Sequence, residues 1–196
     1  MKNLNITVAQ MSQVPMDIEA NLATMFKAIT VAKDAGASVI VFPELCVSGY
    51  LLGDRFEYED FIDELTRAND RIVAASKGII VIWGNIVQDK TKINEDGRIR
   101  KYNAVLIANN GAWASNGVLE GYMPKNNLPK YRIFDDARHF YPAYKLVNEM
   151  SISLEEFFQA FKVTVDGQEY KLALTICEDM WEDEYSIHLS SYYKKQ

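Results

Sequence analysis

Three reactive side chains each stand at the close of an apolar run: Glu44 after SVIVFP, Lys125 after VLEGYMP and Cys177 after LALTI. Together they can carry acyl transfer. A thiolate attacks an amide carbonyl, a base takes the thiol proton, and a cation or backbone N–H groups hold the oxyanion that forms. Cys177 runs directly into Glu178 and Asp179, with Glu182, Asp183 and Glu184 close behind. Such acidic company keeps a thiol protonated, so the need for a base and a compensating cation is acute. Histidine is the usual base, but His139 and His188 lack the strand and turn signals that flank the three residues above, which disfavours a cysteine–histidine pair. A buried carboxylate, Glu44, can take the proton instead, and Lys125 can offset the acidic surroundings. Singly, each residue has a plainer explanation: a solvated loop glutamate, a surface lysine, a small buried cysteine. The weight lies in their shared position, because ligands of α/β sheets gather beyond the carboxyl ends of strands.

The elements that must deliver these residues are legible as alternating periodicities. LNITVA, residues 4–9, alternates apolar and polar side chains like a half-buried strand. Ile18, Leu22, Met25, Ile29 and Ala32 recur at spacings of four and three, which predicts one face of a helix ending near Gly36. SVIVFP reads as a strand covered on both faces and stopped by Pro43. The cycle repeats with a helix through FIDELTRANDRIVAAS, stopped by Gly78, and a buried strand in IIVIWGNIV. Asn-Gly in KYNAVLIANNGAW and Asp-Gly in VTVDGQEYKLALTI signal hairpin turns. Ser153 and Glu156 form a capping-box pattern that opens a short helix in SLEEFFQAF, and SIHLSSYYKKQ reads as a further helix. The expectation is an α/β fold, with most strands in one mixed sheet and helices on one face.

Composition narrows the function classes. With 196 residues, 48% hydrophobic and 12% aromatic, the chain can bury the core of one domain. A formal net charge of −6 argues against a nucleic-acid partner, since neutralising phosphates takes clustered Lys and Arg, and Lys125, Lys130 and Arg132 are too thinly spread. No stretch approaches the roughly 18 uncharged apolar residues of a membrane span, and MKNLNITVAQ has neither a basic nor a long apolar leader region. Two cysteines, Cys46 and Cys177, make no disulfide framework and suit the reducing cytoplasm. No Cys/His spacing fits a metal site, and no G-x-x-x-x-G-K phosphate cradle occurs.

FPELCVSGY, PKNNLPKYRIF and LTICEDMWEDE, in this order, resemble the three signature segments of the nitrilase, or carbon–nitrogen hydrolase, superfamily. Within it, ICED-x-W and K-x-x-LP-x-Y are similar to the glutaminase domain of glutamine-dependent NAD+ synthetases. The resemblance runs from residue 4 to the end. It implies a nitrilase-like α-β-β-α sandwich, with Glu44 as general base, Lys125 as oxyanion-stabilising cation and Cys177 as nucleophile. It further implies Tyr50, Glu178 and Trp181 at the substrate, the Glu178 backbone N–H completing the oxyanion hole. Asp136, beside Arg138 in FDDAR, stands where many members carry a supporting glutamate one methylene longer. The reaction implied is release of ammonia from glutamine through a cysteine thioester, with no cofactor for that step. ATP and Mg2+ belong to a synthetase domain that residues 1–196 lack. On the same resemblance the sandwich itself lacks its C-terminal part, so the expectation is an incomplete, self-associating glutaminase domain. The rival expectations are a free-standing amidase or nitrilase acting on another small substrate, and an inactive binding or assembly module.

Overall fold

A computed structural model describes residues 3–196, apart from the side chain of Glu182; the leader reading of the first residues touches Met1 and Lys2, which lie outside that range. The alternating cycle unfolds as expected. Strand β1 (Ile6–Val8) leads to helix α1 (Ile18–Asp34), strand β2 (Val39–Val41), helix α2 (Glu59–Ala75) and the long strand β3 (Ile80–Ile93). β1, β2 and β3 pair in parallel, with Ile6 opposite Val39 and Val39 opposite Ile80. β3 then turns back antiparallel into β4 (Ile99–Asn109), whose far edge carries both β5 (Ala112–Trp113) and β6 (Tyr122–Pro124). The mixed sheet thus has six strands among the described residues. Strands β7 (Phe161–Val165) and β8 (Gln168–Leu172) form a separate hairpin. Its turn, Asp166-Gly167, and the Asn110-Gly111 turn both take the positive φ angles their residue types permit.

Helix α1 buries the five residues whose spacing marks its face, and Asp17 caps it by accepting the Ala20 N–H. α2 buries Ile62, Leu65, Ala68 and Ile72 against β3. Both helices lie on one face of the sheet, where Trp83 is wholly buried and donates its indole N–H to Asn69 of α2 at 3.0 Å. Asn85 donates to the same Asn69 oxygen at 2.8 Å, so a polar tie crosses an otherwise apolar layer. On the other face the alternation of β1 has an outcome the sequence did not suggest. Ile6 and Val8 are 58% and 69% exposed, because the apolar side of this strand points away from the helices.

The second half of the chain adds three short helices: α3 (Asp136–His139), α4 (Ala143–Met150) and α5 (Leu154–Phe157). α5 shows the full capping box, Ser153 and Glu156 each bonding the other's backbone N–H. α3 and α4 have no counterpart in the periodicity, being too short to develop one. A final helix, α6 (Leu189–Tyr193), closes the chain.

One glycine decides how β2 continues. Beyond Val41 the chain crosses close over β3: Gly84 N–H donates to Pro43 O at 3.1 Å, and Cys46 N–H donates to Gly84 O at 3.0 Å. A Cβ on Gly84 would lie 2.5 Å from Glu44 Cα and 2.6 Å from Leu45 N, so only glycine lets these two backbones meet. Gly84→Ala is therefore expected to destabilise the chain by about 1–3 kcal/mol, the scale of overpacking a closed interior, in guanidinium unfolding. Unchanged stability would show that the crossing has room to move.

Candidate active site

Glu44 follows β2 on the backbone that Gly84 admits, and Leu45 beside it holds a positive φ of 46°. Lys125 follows β6, its N–H donating to Asn103 O of β4 at 2.8 Å. Cys177 opens a 3-10 turn, Cys177–Met180. The strand expected in LALTI is shorter than its composition implies. β8 ends at Leu172, and residues 173–176 run on in no strand, with Ile176 extended at φ −127° and ψ 120°. The reason is placement: residues 171–177 pass over the open face of the large sheet, beside Ile6, Val41, Ile82 and Val105, and not along an edge where a ladder could form. Even so, this segment delivers Cys177 to the place where β2 delivers Glu44.

The three residues assemble. Lys125 has no exposed surface, and its ammonium donates to Glu44 Oε1 at 2.7 Å and Asp136 Oδ2 at 2.9 Å. Cys177 stands near enough to the Glu44 carboxylate for that charge to act on its thiol. Glu44 and Cys177 line a cleft of about 390 Å³ floored by the sheet. A larger hollow of about 720 Å³, lined by Arg100, Asn126, His139, Tyr141 and Tyr185, contains none of the three and lacks their chemistry.

The electrostatics follow from this packing. Burial pulls the Lys125 ammonium toward neutrality, but Glu44 and Asp136 outweigh it and hold its pKa above the ordinary lysine value. Desolvation and the Glu44 charge hold the Cys177 thiol above the ordinary cysteine range, against the opposing pull of Lys125. The site at rest is therefore a thiol beside a carboxylate, not a thiolate–cation pair. Cys46, also free, is buried, donates to Gly84 O at 3.5 Å and is pushed up to about 12 by burial.

The other residues singled out by resemblance fall in different places. Tyr50 does not line the cleft; its hydroxyl donates to Asp136 Oδ1 at 2.8 Å and its ring lies 5.6 Å from the Lys125 nitrogen. Asp136, despite its shorter side chain, reaches Lys125 directly because α3 begins there. Glu178 is buried, and its carboxylate accepts hydroxyls from Tyr131 at 3.1 Å and Tyr185 at 2.7 Å. Trp181 is 64% exposed and stands outside the lining of the cleft.

Sequence reasoning missed Asn103, whose amide donates to Glu44 Oε1 at 2.6 Å and Asp136 Oδ2 at 3.4 Å while its own oxygen is buried without a partner. It also missed Tyr131, Tyr185 and Asp179. For Asn103 a signal exists: a lone amide in the apolar strand KYNAVLIA has to be bonded to something. Tyr131 closes the K-x-x-LP-x-Y motif, which was its signal, whereas Tyr185 lies on an irregular segment and had none.

The carbon–nitrogen hydrolase family model matches residues 5–192. A glutamine-dependent NAD+ synthetase of Thermotoga maritima is 30% identical over 183 residues, which are 92% of this chain and 26% of that protein. The structure of a glutamine-dependent NAD+ synthetase from Acinetobacter baumannii, solved with ADP, matches with a TM-score of 0.65 at 27% identity, over 94% of this chain and 29% of that one. An amidase from Nesterenkonia sp. AN1 shares the fold, with a TM-score of 0.66 at 18% identity over 93% of this chain and 60% of that one. The chain spans about a quarter of the length of the curated relatives it matches.

Because the Glu44 charge opposes ionisation of the thiol, Glu44→Gln is expected to lower the pH midpoint of Cys177 alkylation by iodoacetamide. Mass spectrometry of the Cys177 peptide reads it without interference from Cys46. A midpoint that stays or rises would remove Glu44 from the thiol's surroundings.

Proposed function

Because the chain belongs to the carbon–nitrogen hydrolase family, we propose that it splits the side-chain amide of glutamine through a thioester on Cys177. The observation that carries this reading is the buried ammonium of Lys125, held against Glu44 at the cleft that Glu44 and Cys177 line together. As sulfur attacks the carbonyl carbon, the thiol proton passes to Glu44, and the carbonyl π electrons move to oxygen. Lys125 and the backbone N–H of Glu178 hold that oxyanion. When it collapses, the C–N bond breaks, Glu44 returns the proton to nitrogen, and ammonia leaves. Water then attacks the thioester with Glu44 again as base, releasing glutamate and the thiol.

Two things favour glutamine over other amides. The relatives of comparable identity along the whole chain are named glutamine-dependent NAD+ synthetases. Next to Cys177 in the chain stands a carboxylate, Glu178, whose charge suits an α-ammonium group once the Tyr131 and Tyr185 hydroxyls give way. In such relatives the ammonia would serve an ATP-dependent amidation carried by the remaining three quarters of the protein, and ATP and Mg2+ belong there. A second reading, a smaller amide without an amino group, draws on Tyr131 and Tyr185 already satisfying Glu178.

The chloromethyl ketone analogue of glutamine tests this without requiring turnover. Alkylation at Cys177, slowed by L-glutamine and abolished by Cys177→Ala, is the expected result. Labelling that propionamide blocks and glutamine does not would favour the smaller amide. No labelling would mean that the site is not a working nucleophile and that the chain is a binding module. In an ammonia-release assay, Glu44→Gln and Lys125→Met are each expected to lower the rate by roughly two to four powers of ten with little change in apparent glutamine affinity. Cys46→Ala should leave the rate nearly intact, and an equal loss there would shift the role of nucleophile.

A further inference from the structure

Next to the nucleophile but one lies a carboxylate that the proposed chemistry does not use. Asp179 is 2% exposed, and no ion pair neutralises it among the described residues. Its Oδ1 instead accepts two successive peptide N–H groups, from Asn126 at 3.1 Å and Asn127 at 2.8 Å. These are the two residues that follow Lys125. A buried carboxylate is costly to keep, and burial pushes Asp179 up to about 7 against the pull of those N–H groups and of Lys125. An apolar side chain would fill the space at lower cost, so what the carboxylate contributes is its capacity to accept.

We propose that Asp179 is a positioning residue: by gathering the two N–H groups after Lys125 it fastens the turn carrying the ammonium to the turn carrying the thiol. This rests on the roles assigned above to Lys125 and Cys177. The junction has supports on both sides. Asn127 donates its side-chain N–H to Glu178 O at 3.5 Å, and Asn126 Oδ1 accepts the Tyr144 N–H of α4 at 3.1 Å. Asp179 N–H donates to Ile176 O at 2.8 Å, which closes the turn around Cys177 itself. The two turns are 53 residues apart in the chain and belong to no common sheet, so strand pairing does not set their separation. The carboxylate does.

The charged groups facing the thiol are Glu44, Lys125 and Glu178, and of these Lys125 alone favours the thiolate. If the turn bearing Lys125 is released, that help is lost. Asp179→Leu is therefore expected to raise the pH midpoint of Cys177 alkylation by about one unit, the low end of the effect of a nearby opposite charge, as Lys125→Met does. On the Lys125→Met background, Asp179→Leu should add no further shift. Asp179→Asn retains an acceptor oxygen and should show no upward shift. An unmoved midpoint in Asp179→Leu, or a full additional shift in the double variant, would overturn the proposal and leave Asp179 as a packing residue. If Asp179→Leu does not fold, amide hydrogen exchange of Asn126 and Asn127 in the unaltered chain decides. Protection as strong as in β4 is expected, and exchange at the rate of exposed loops would overturn it. Alkylation by iodoacetamide needs no glutamine, so a failed glutamine competition with intact Asp179 shifts would count against the substrate and not against the clamp.

Discussion

The site depends on an ammonium with no water around it. A lysine side chain with zero exposed surface is tolerable only where opposite charge and hydrogen-bond acceptors replace its hydration, and Lys125 finds both in Glu44 and Asp136. Those partners come from distant parts of the chain, Glu44 from the end of β2 and Asp136 from the start of α3. Asn103 in β4 reaches both carboxylates, and Tyr50 holds the second oxygen of Asp136. Removing either carboxylate would leave a buried charge poorly compensated, a loss of the order of 3–5 kcal/mol. The folded state and the assembled site are for this reason nearly the same thing. Behind Asp136, α3 is itself anchored, since His139, Arg98 and Lys101 all converge on Glu57.

Burial disfavours the thiolate first, and one ammonium between two carboxylates leaves the cluster beside the thiol with a net negative charge. That explains why the thiol keeps its proton at rest. Under the proposed function the site does not store a reactive thiolate. On that reading it keeps a base beside the thiol, so sulfur becomes nucleophilic as an amide carbonyl arrives and the proton passes to Glu44. The acidic run after Cys177 is compatible with this because Glu178 is occupied by Tyr131 and Tyr185, and Asp179 by backbone N–H groups.

Where periodicity is long, the sequence was informative. The buried face of α1, the Gly78 stop, the alternation of strand and helix and both Gly-containing turns could be read directly, because α1 and α2 repeat their pattern several times and the turns carry their own residue types. Glu44, Lys125 and Cys177 were legible for a related reason: each interrupts or ends an apolar run. What stayed hidden was set by approach in three dimensions. No local signal says that Gly84 must be bare so that Glu44 can pass, or that Asp179 will turn toward the residues after Lys125. The LALTI segment misled because its β-branched composition favours extended backbone, whereas a strand also needs an edge to pair with. Trp181, grouped with the site by its motif, stands mostly in solvent.

Cys177 holds φ at +40°, a conformation that side chains with a Cβ adopt at a cost of about 1–2 kcal/mol. Glycine would relieve it, and glycine has no sulfur. Under the proposed function, position 177 is thus a place where drift toward higher stability and retention of the chemistry pull in opposite directions. Among descendants of such a chain, selection for catalysis alone keeps the cysteine. A lineage that had ceased to use the thiol would be free to replace it, and glycine at this position would be a fossil of the lost activity, readable from sequence without an assay.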